Sequence, residues 1–176
     1  MTQKFFQDVD FSDFWDDSEY SDEYRSEPLT DELVASVEEE LGYKLPASYI
    51  EFMKLRNGGI PQKTCFPTKK ATSWASNHVA ITGILGIGRT KSYSLCGDMG
   101  NQFMMDEWEY PNIGVYICDC PSGGHDMIAL DYSKLGIDGE PRVVHIDQEY
   151  DYKKTVLAAN FELFIRGLVG SENFEE

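Results

Sequence analysis

The sequence predicts an α+β fold: a central, largely antiparallel sheet with helices packed on one face, an N-terminal helical hairpin and a C-terminal helix. Two observations carry this. Residues 30–58 repeat apolar side chains at helical spacing, whereas residues 79–158 break into short runs rich in Val, Ile and Tyr, divided by Gly, Pro and Asn. Helices segregated from strands along a chain of 176 residues describe one layered core rather than alternating βα units.

Thr30 is a good N-cap, Asp31 and Glu32 suit the positive end of the helix dipole, and Leu33, Val34, Val37 and Leu41 share a face that Gly42 ends. A second helix starts with Pro46 in its first turn, carries Tyr49, Ile50, Phe52 and Met53, and stops at Asn57-Gly58-Gly59. Val79 to Ile87 reads as one bent strand or two, and Ser92 to Leu95 as a weak one. Gly114 to Cys120, Asp126 to Asp131 and Arg142 to Asp147 are stronger, joined by Pro121-Ser122-Gly123-Gly124 and Gly136-Ile137-Asp138-Gly139, so they form an antiparallel meander. Lys154 to Ala158 adds a further strand. Asn160 caps a last helix with Phe161, Phe164, Ile165 and Leu168 on its apolar face and Gly170 as its stop.

Ahead of this unit, residues 1–29 hold nine acids, two bases and seven aromatics. Phe11, Phe14 and Trp15 fall at helical spacing, so the segment is expected to be a short amphipathic extension docked on the body; the competing reading is a mobile arm with one docked turn. The domain proper spans 30–176.

The chain carries 15 Lys+Arg against 31 Asp+Glu, a formal charge of -16. Direct nucleic-acid binding needs clustered cations and is disfavoured, while a basic protein would be steered in by such a field. No apolar run approaches the roughly 18 residues of a membrane span, and acids interrupt the N-terminus before a signal-peptide core forms, so a cytoplasmic protein is expected. The four cysteines make no disulfide framework and are expected to be reduced thiols.

Chemistry-bearing patterns are sparse. Cys118 and Cys120 point to one side of a strand, with His125 and Asp126 across the turn, which makes a metal site conceivable. No second cysteine pair completes it, so two apolar strand residues and a loop-fastening histidine are preferred, and neither metal nor cofactor is expected. Gly83 to Gly88 match no phosphate-binding spacing and are expected to bend a strand. No serine or cysteine nucleophile stands in a motif. A hydrolytic grouping of Asp131, Asp147 and Glu149 with His125 and His145 is disfavoured, since carboxylates at strand ends usually satisfy turns. Asp106-Glu107-Trp108-Glu109-Tyr110 alternates acids with aromatics and suits a protein contact, or else an edge strand with Trp108 and Tyr110 inward. Trp74 pins a loop or offers a contact.

The stretch Leu45-Pro46-Ala47-Ser48-Tyr49-Ile50-Glu51-Phe52, followed by Asn57-Gly58-Gly59, resembles the opening signature of the SUKH superfamily, the Smi/Knr group. Pro121 to Asp126, Leu130 to Ser133, Gly139 to Glu149 and the Asn160 to Ile165 helix resemble a bacterial branch of it. The resemblance implies helices packed on a sheet. In bacteria it implies an immunity protein that binds a polymorphic toxin, often a nuclease, and in fungi a link to cell-wall control. The expectation is therefore a non-enzymatic immunity protein that occludes a basic toxin of the nuclease kind, with an adaptor for an endogenous partner as the alternative. Its candidate contacts are Trp74, Glu107, Trp108, Glu109, Asp119, His125 and Asp126.

Overall fold

The computed structural model describes residues 5–135 and 140–174. Five α-helices lie among them: α1 (Glu19–Asp22), α2 (Asp31–Leu41), α3 (Ala47–Leu55), α4 (Asn101–Glu107) and α5 (Phe161–Gly167). β1 (Cys65–Pro67) and β2 (His78–Ala80) form a two-stranded sheet. β3 (Gly83–Ile84), β4 (Gly114–Asp119), β5 (Asp126–Leu135), β6 (Pro141–Asp147) and β7 (Lys153–Ala158) form a five-stranded antiparallel sheet in chain order. The protein is thus an α+β fold built on an antiparallel meander. The expected turn over 136–139 lies outside the described residues.

The helix ends follow their local chemistry. Thr30 Oγ1 accepts the Leu33 amide at 3.1 Å, Gly42 closes α2 in the left-handed region at φ 81, and Asn160 Oδ1 accepts the Leu163 amide at 2.9 Å. On one sheet face Val115, Ile117, Ile128, Leu130 and Val143 pack with Val37 of α2, Tyr49 and Phe52 of α3, and Phe161, Phe164 and Ile165 of α5. Alternate residues Tyr116, Met127, Ala129, Val144 and Ile146 point the other way and pack with Met104 of α4 and with Tyr110. Helices α2, α3 and α5 therefore occupy one face, as expected, while α4 and residues 108–113 shield the other.

One open reading is decided and two others change. The bent run from Val79 divides into β2 and β3, which belong to different sheets. Ser92 to Leu95 is no strand. It makes a single isolated bridge, from Ser94 to Gly86 just beyond β3, and Gly97 N donating to Ser94 O turns the chain away. Asp106 and Glu107 end a helix rather than start an edge strand. Buried Asn101 fixes that helix against the sheet, its Oδ1 accepting Tyr116 N at 2.7 Å and its Nδ2 donating to Leu95 O and Tyr116 O, both at 3.1 Å.

The acidic extension is docked, in two tiers. Residues 18–27 include α1 and sit deep: Ser21, Tyr24 and Ser26 are buried, Ser21 Oγ accepts the Ile60 amide at 2.9 Å, and the Tyr24 hydroxyl donates to Asp119 at 2.8 Å. Asn57 joins this tier to the body, donating to Glu27 O at 2.8 Å and Ile87 O at 2.9 Å and accepting Ile87 N at 2.7 Å. Residues 5–17 lie over α3 instead, where the rings of Phe6, Phe11, Phe14 and Trp15 surround Phe52 at centroid distances of 5.2–5.5 Å. Phe11, Phe14 and Trp15 thus dock as their spacing suggests, but from turns and a bridge to Pro61, not from a helix. Among the described residues no helix is long and apolar enough to cross a membrane.

Candidate partner-binding surface at one end of the sheet

The loop from β4 to β5 organises this end. Ser122 Oγ donates to Asp126 Oδ1 and accepts the amides of His125 and Asp126, each at 3.1 Å. Asp126 Oδ2 in turn accepts from His145 Nε2 at 2.7 Å, and both side chains are buried. Such a pair is costly to break from one side, because the remaining group stays desolvated and unpartnered. On the neighbouring strand Asp147 accepts Ser73 N at 2.8 Å and Ser73 Oγ at 2.6 Å, which hangs the loop bearing Trp74 on β6. Asp126 and Asp147 are register partners, so the two anchors stand side by side.

Above the anchors lies an aromatic layer. Gly124 takes φ 108, and a Cβ there would come within 2.9 Å of the Trp108 ring, so only glycine admits the indole this closely. The Tyr110 hydroxyl donates to Gly124 O at 2.7 Å, and that of Tyr152 donates to Trp108 O. Burial pushes the Tyr110 phenol far above its ordinary range, so it acts as a neutral donor. Trp108 meets His125 edge-on, with centroids 5.2 Å apart. His125 Nδ1 lies 2.8 Å from Glu149 Oε1 and 3.2 Å from Gln148 Oε1.

Glu107, Glu109, Glu149, Tyr150 and Asp151 are exposed around this layer, and Trp74 is 41% exposed. Six of the seven candidate contacts, namely Trp74, Glu107, Trp108, Glu109, Asp119 and His125, therefore reach solvent at least in part. Asp126 does not: at 1% exposure it anchors the loop from below. Asp119 is also engaged, accepting Tyr24 OH at 2.8 Å and Gly83 N at 3.1 Å, and burial raises its carboxyl to about 6 despite those bonds. Sequence reasoning had not grouped Tyr150 and Tyr152 with these residues, although Gln148 to Tyr152 repeats the acid and aromatic alternation of residues 106–110.

The hydrolytic grouping is not assembled. Asp131 sits midway along β5, five residues from Asp126, where burial opposes its charge but bonds from Ser133 and Lys154 hold its carboxyl below the ordinary range. Asp147 is bound to Ser73 and His145 to Asp126, which leaves His125 with Glu149 as the one pair. Cys118 and Cys120 are buried free thiols, and burial pushes both well above their ordinary range. No three His, Cys, Asp or Glu side chains among the described residues converge to hold a metal ion. This end of the sheet thus presents exposed carboxylates beside rings that are at least partly open to solvent.

Residues 28–167 match the family described as SMI1 / KNR4 family (SUKH-1). No curated protein matches the chain.

Proposed function

We propose, for a chain that belongs to the SMI1/KNR4 family (SUKH-1), the role of an immunity protein that binds a cognate basic toxin of the nuclease kind and covers its active site. The family includes toxin-immunity proteins and cell-wall regulators. What favours the first role here is the acid and aromatic rim at one end of the sheet, in a chain of formal charge -16. A nuclease holds phosphates with cations, and carboxylates presented on a rigid frame compete for the same cations. Trp74, Trp108 and His125 supply the apolar area, Glu107 and Glu109 the charge, and Asp119 and Asp126 hold the strand end and loop that carry them. Binding is by shape and potential, with no covalent step.

Co-expression tests this. A toxin encoded beside this chain should become harmless and co-purify with it, and Glu107→Lys with Glu109→Lys should slow association and flatten its salt dependence. If no neighbouring toxin is neutralised or bound, the reading fails. Binding of an endogenous partner without protection would favour the regulatory adaptor found elsewhere in the family.

A further inference from the structure

The layer formed by residues 5–17 is bound differently from everything beneath it. Its two ion pairs to the body, Asp8 to Arg166 at 2.7 and 3.1 Å and Asp17 to Arg56 at 4.0 Å, have carboxylates open to solvent, with Asp8 71% and Asp17 98% exposed. Exposed pairs hold weakly. Its backbone meets the body through Asp16 N to Ile60 O at 2.8 Å and Gln62 N to Phe14 O at 2.7 Å, and Phe5 N donates to Glu51 at 2.9 Å. Packing is also incomplete: a cavity of about 360 Å³ remains between Phe6, Phe11 and Phe14 on the segment and Lys63, Ile165 and Arg166 on the body. Residues 5–17 bury one side chain, Phe6, whereas residues 18–27 bury three, Ser21, Tyr24 and Ser26, and are held to the body by hydrogen bonds through Ser21 and Tyr24. The manner of attachment therefore changes near residue 17. The family match starts at residue 28, after this segment.

We propose that residues 5–17 are a releasable strap over a peptide-binding groove, and that the groove takes a short segment combining carboxylates with aromatic rings. The strap displays the chemistry that fits. Arg166 binds the Asp8 carboxylate and lies 5.7 Å from the Phe6 ring centroid, Arg56 lies 5.3 Å from that of Trp15, and Phe52 receives the rings. Cations at the rim and an apolar floor select acids and aromatics together. The groove lies on the helical side of the sheet, on α3 and α5, and its assignment is independent of the toxin reading.

A tethered strap competes at an effective concentration of about a millimolar, so a free peptide must be tested against a chain whose own strap is weakened. The probe is a fluorescein-labelled peptide of residues 5–17, offered to full-length wild type and to a Phe6→Ala, Asp8→Ala variant. The variant is expected to bind it at least ~10-fold more tightly than wild type. Adding Arg166→Ala should remove that gain, and a peptide with Asp→Asn and Phe→Ala changes should not bind. Hydrogen exchange on wild type should show amides of 5–17 opening faster than those of 18–27. If the 5–17 amides exchange only with global unfolding, or if the folded variant ignores the peptide, the proposal is overturned. A concentration-dependent dimer that excludes the peptide would overturn it in favour of self-association.

Discussion

Asp119 makes the stability of this protein depend on pH in a direction opposite to that of most paired carboxylates. Burial raises its carboxyl from 3.8 to about 6, although Tyr24 and Gly83 both donate to it. Between these two values the folded chain keeps the proton and the unfolded chain has released it. The stabilisation from this group is therefore complete below about 4 and is lost as pH rises through about 6. The interval from 3.8 to about 6, at about 1.36 kcal/mol per pH unit, corresponds to about 3 kcal/mol at pH 8, of which about 2 kcal/mol accrues above pH 4. Asp119→Asn removes the titration and keeps the shape, since Tyr24 can reverse its hydroxyl and accept from the amide. Urea unfolding of both proteins from pH 4 to 8 is the assay. The variant's stability relative to wild type should rise by about 2 kcal/mol across that range. Carboxylates held below their ordinary range, such as Asp8 and Asp131, are common to both and cancel. Parallel curves would refute the reasoning, because they would mean that Asp119 titrates alike in the folded and unfolded chains.

His145→Ala strands the buried Asp126 carboxylate and should cost about 3–5 kcal/mol in urea unfolding; a loss below about 1 kcal/mol would show that the pair is not buried in solution. Asn57→Ala leaves the Ile87 amide and two carbonyls unsatisfied and should cost about 3 kcal/mol or more, with hydrogen exchange rising first in residues 18–27. Gly124→Ala puts a methyl group against the Trp108 ring as well as at positive φ, so it should cost more than Gly123→Ala. At Gly123 the space is open, and only the conformational penalty of about 1–2 kcal/mol applies. The Gly124 change, unlike the Gly123 change, should also shift tryptophan fluorescence.

Much of the fold was legible because its signals are local. Thr30, Gly42, Pro46 and Asn160 mark helix ends within a few residues of the groups they serve, and the Val and Ile runs of β4 to β6 need nothing beyond their own neighbours. The misread places depend on distant partners. Residues 106–110 alternate with strand period, but Asn101 binds Tyr116 across 15 residues and Met104 packs on the sheet, so the preceding turn becomes helical and ends at Glu107. At the candidate surface, Trp108, Glu109 and His125 stood out by composition. The bond from Ser73 to Asp147 spans 74 positions and has no sequence pattern, so the loop bearing Trp74 could not be placed beforehand. Asp126 looked like a surface acid because nothing local announces His145 as its partner.

The chain-order pairing of β3 to β7 has a consequence for synthesis. Each hairpin joins neighbours in sequence, so the meander can zip strand by strand as residues leave the ribosome. The Asp8 to Arg166 contact spans 158 positions and the Tyr24 to Asp119 bond 95. The aromatic segment can therefore meet Phe52 of α3 soon after both are made, but its contact with Arg166 closes only once α5 has left the ribosome, so the seat is completed last.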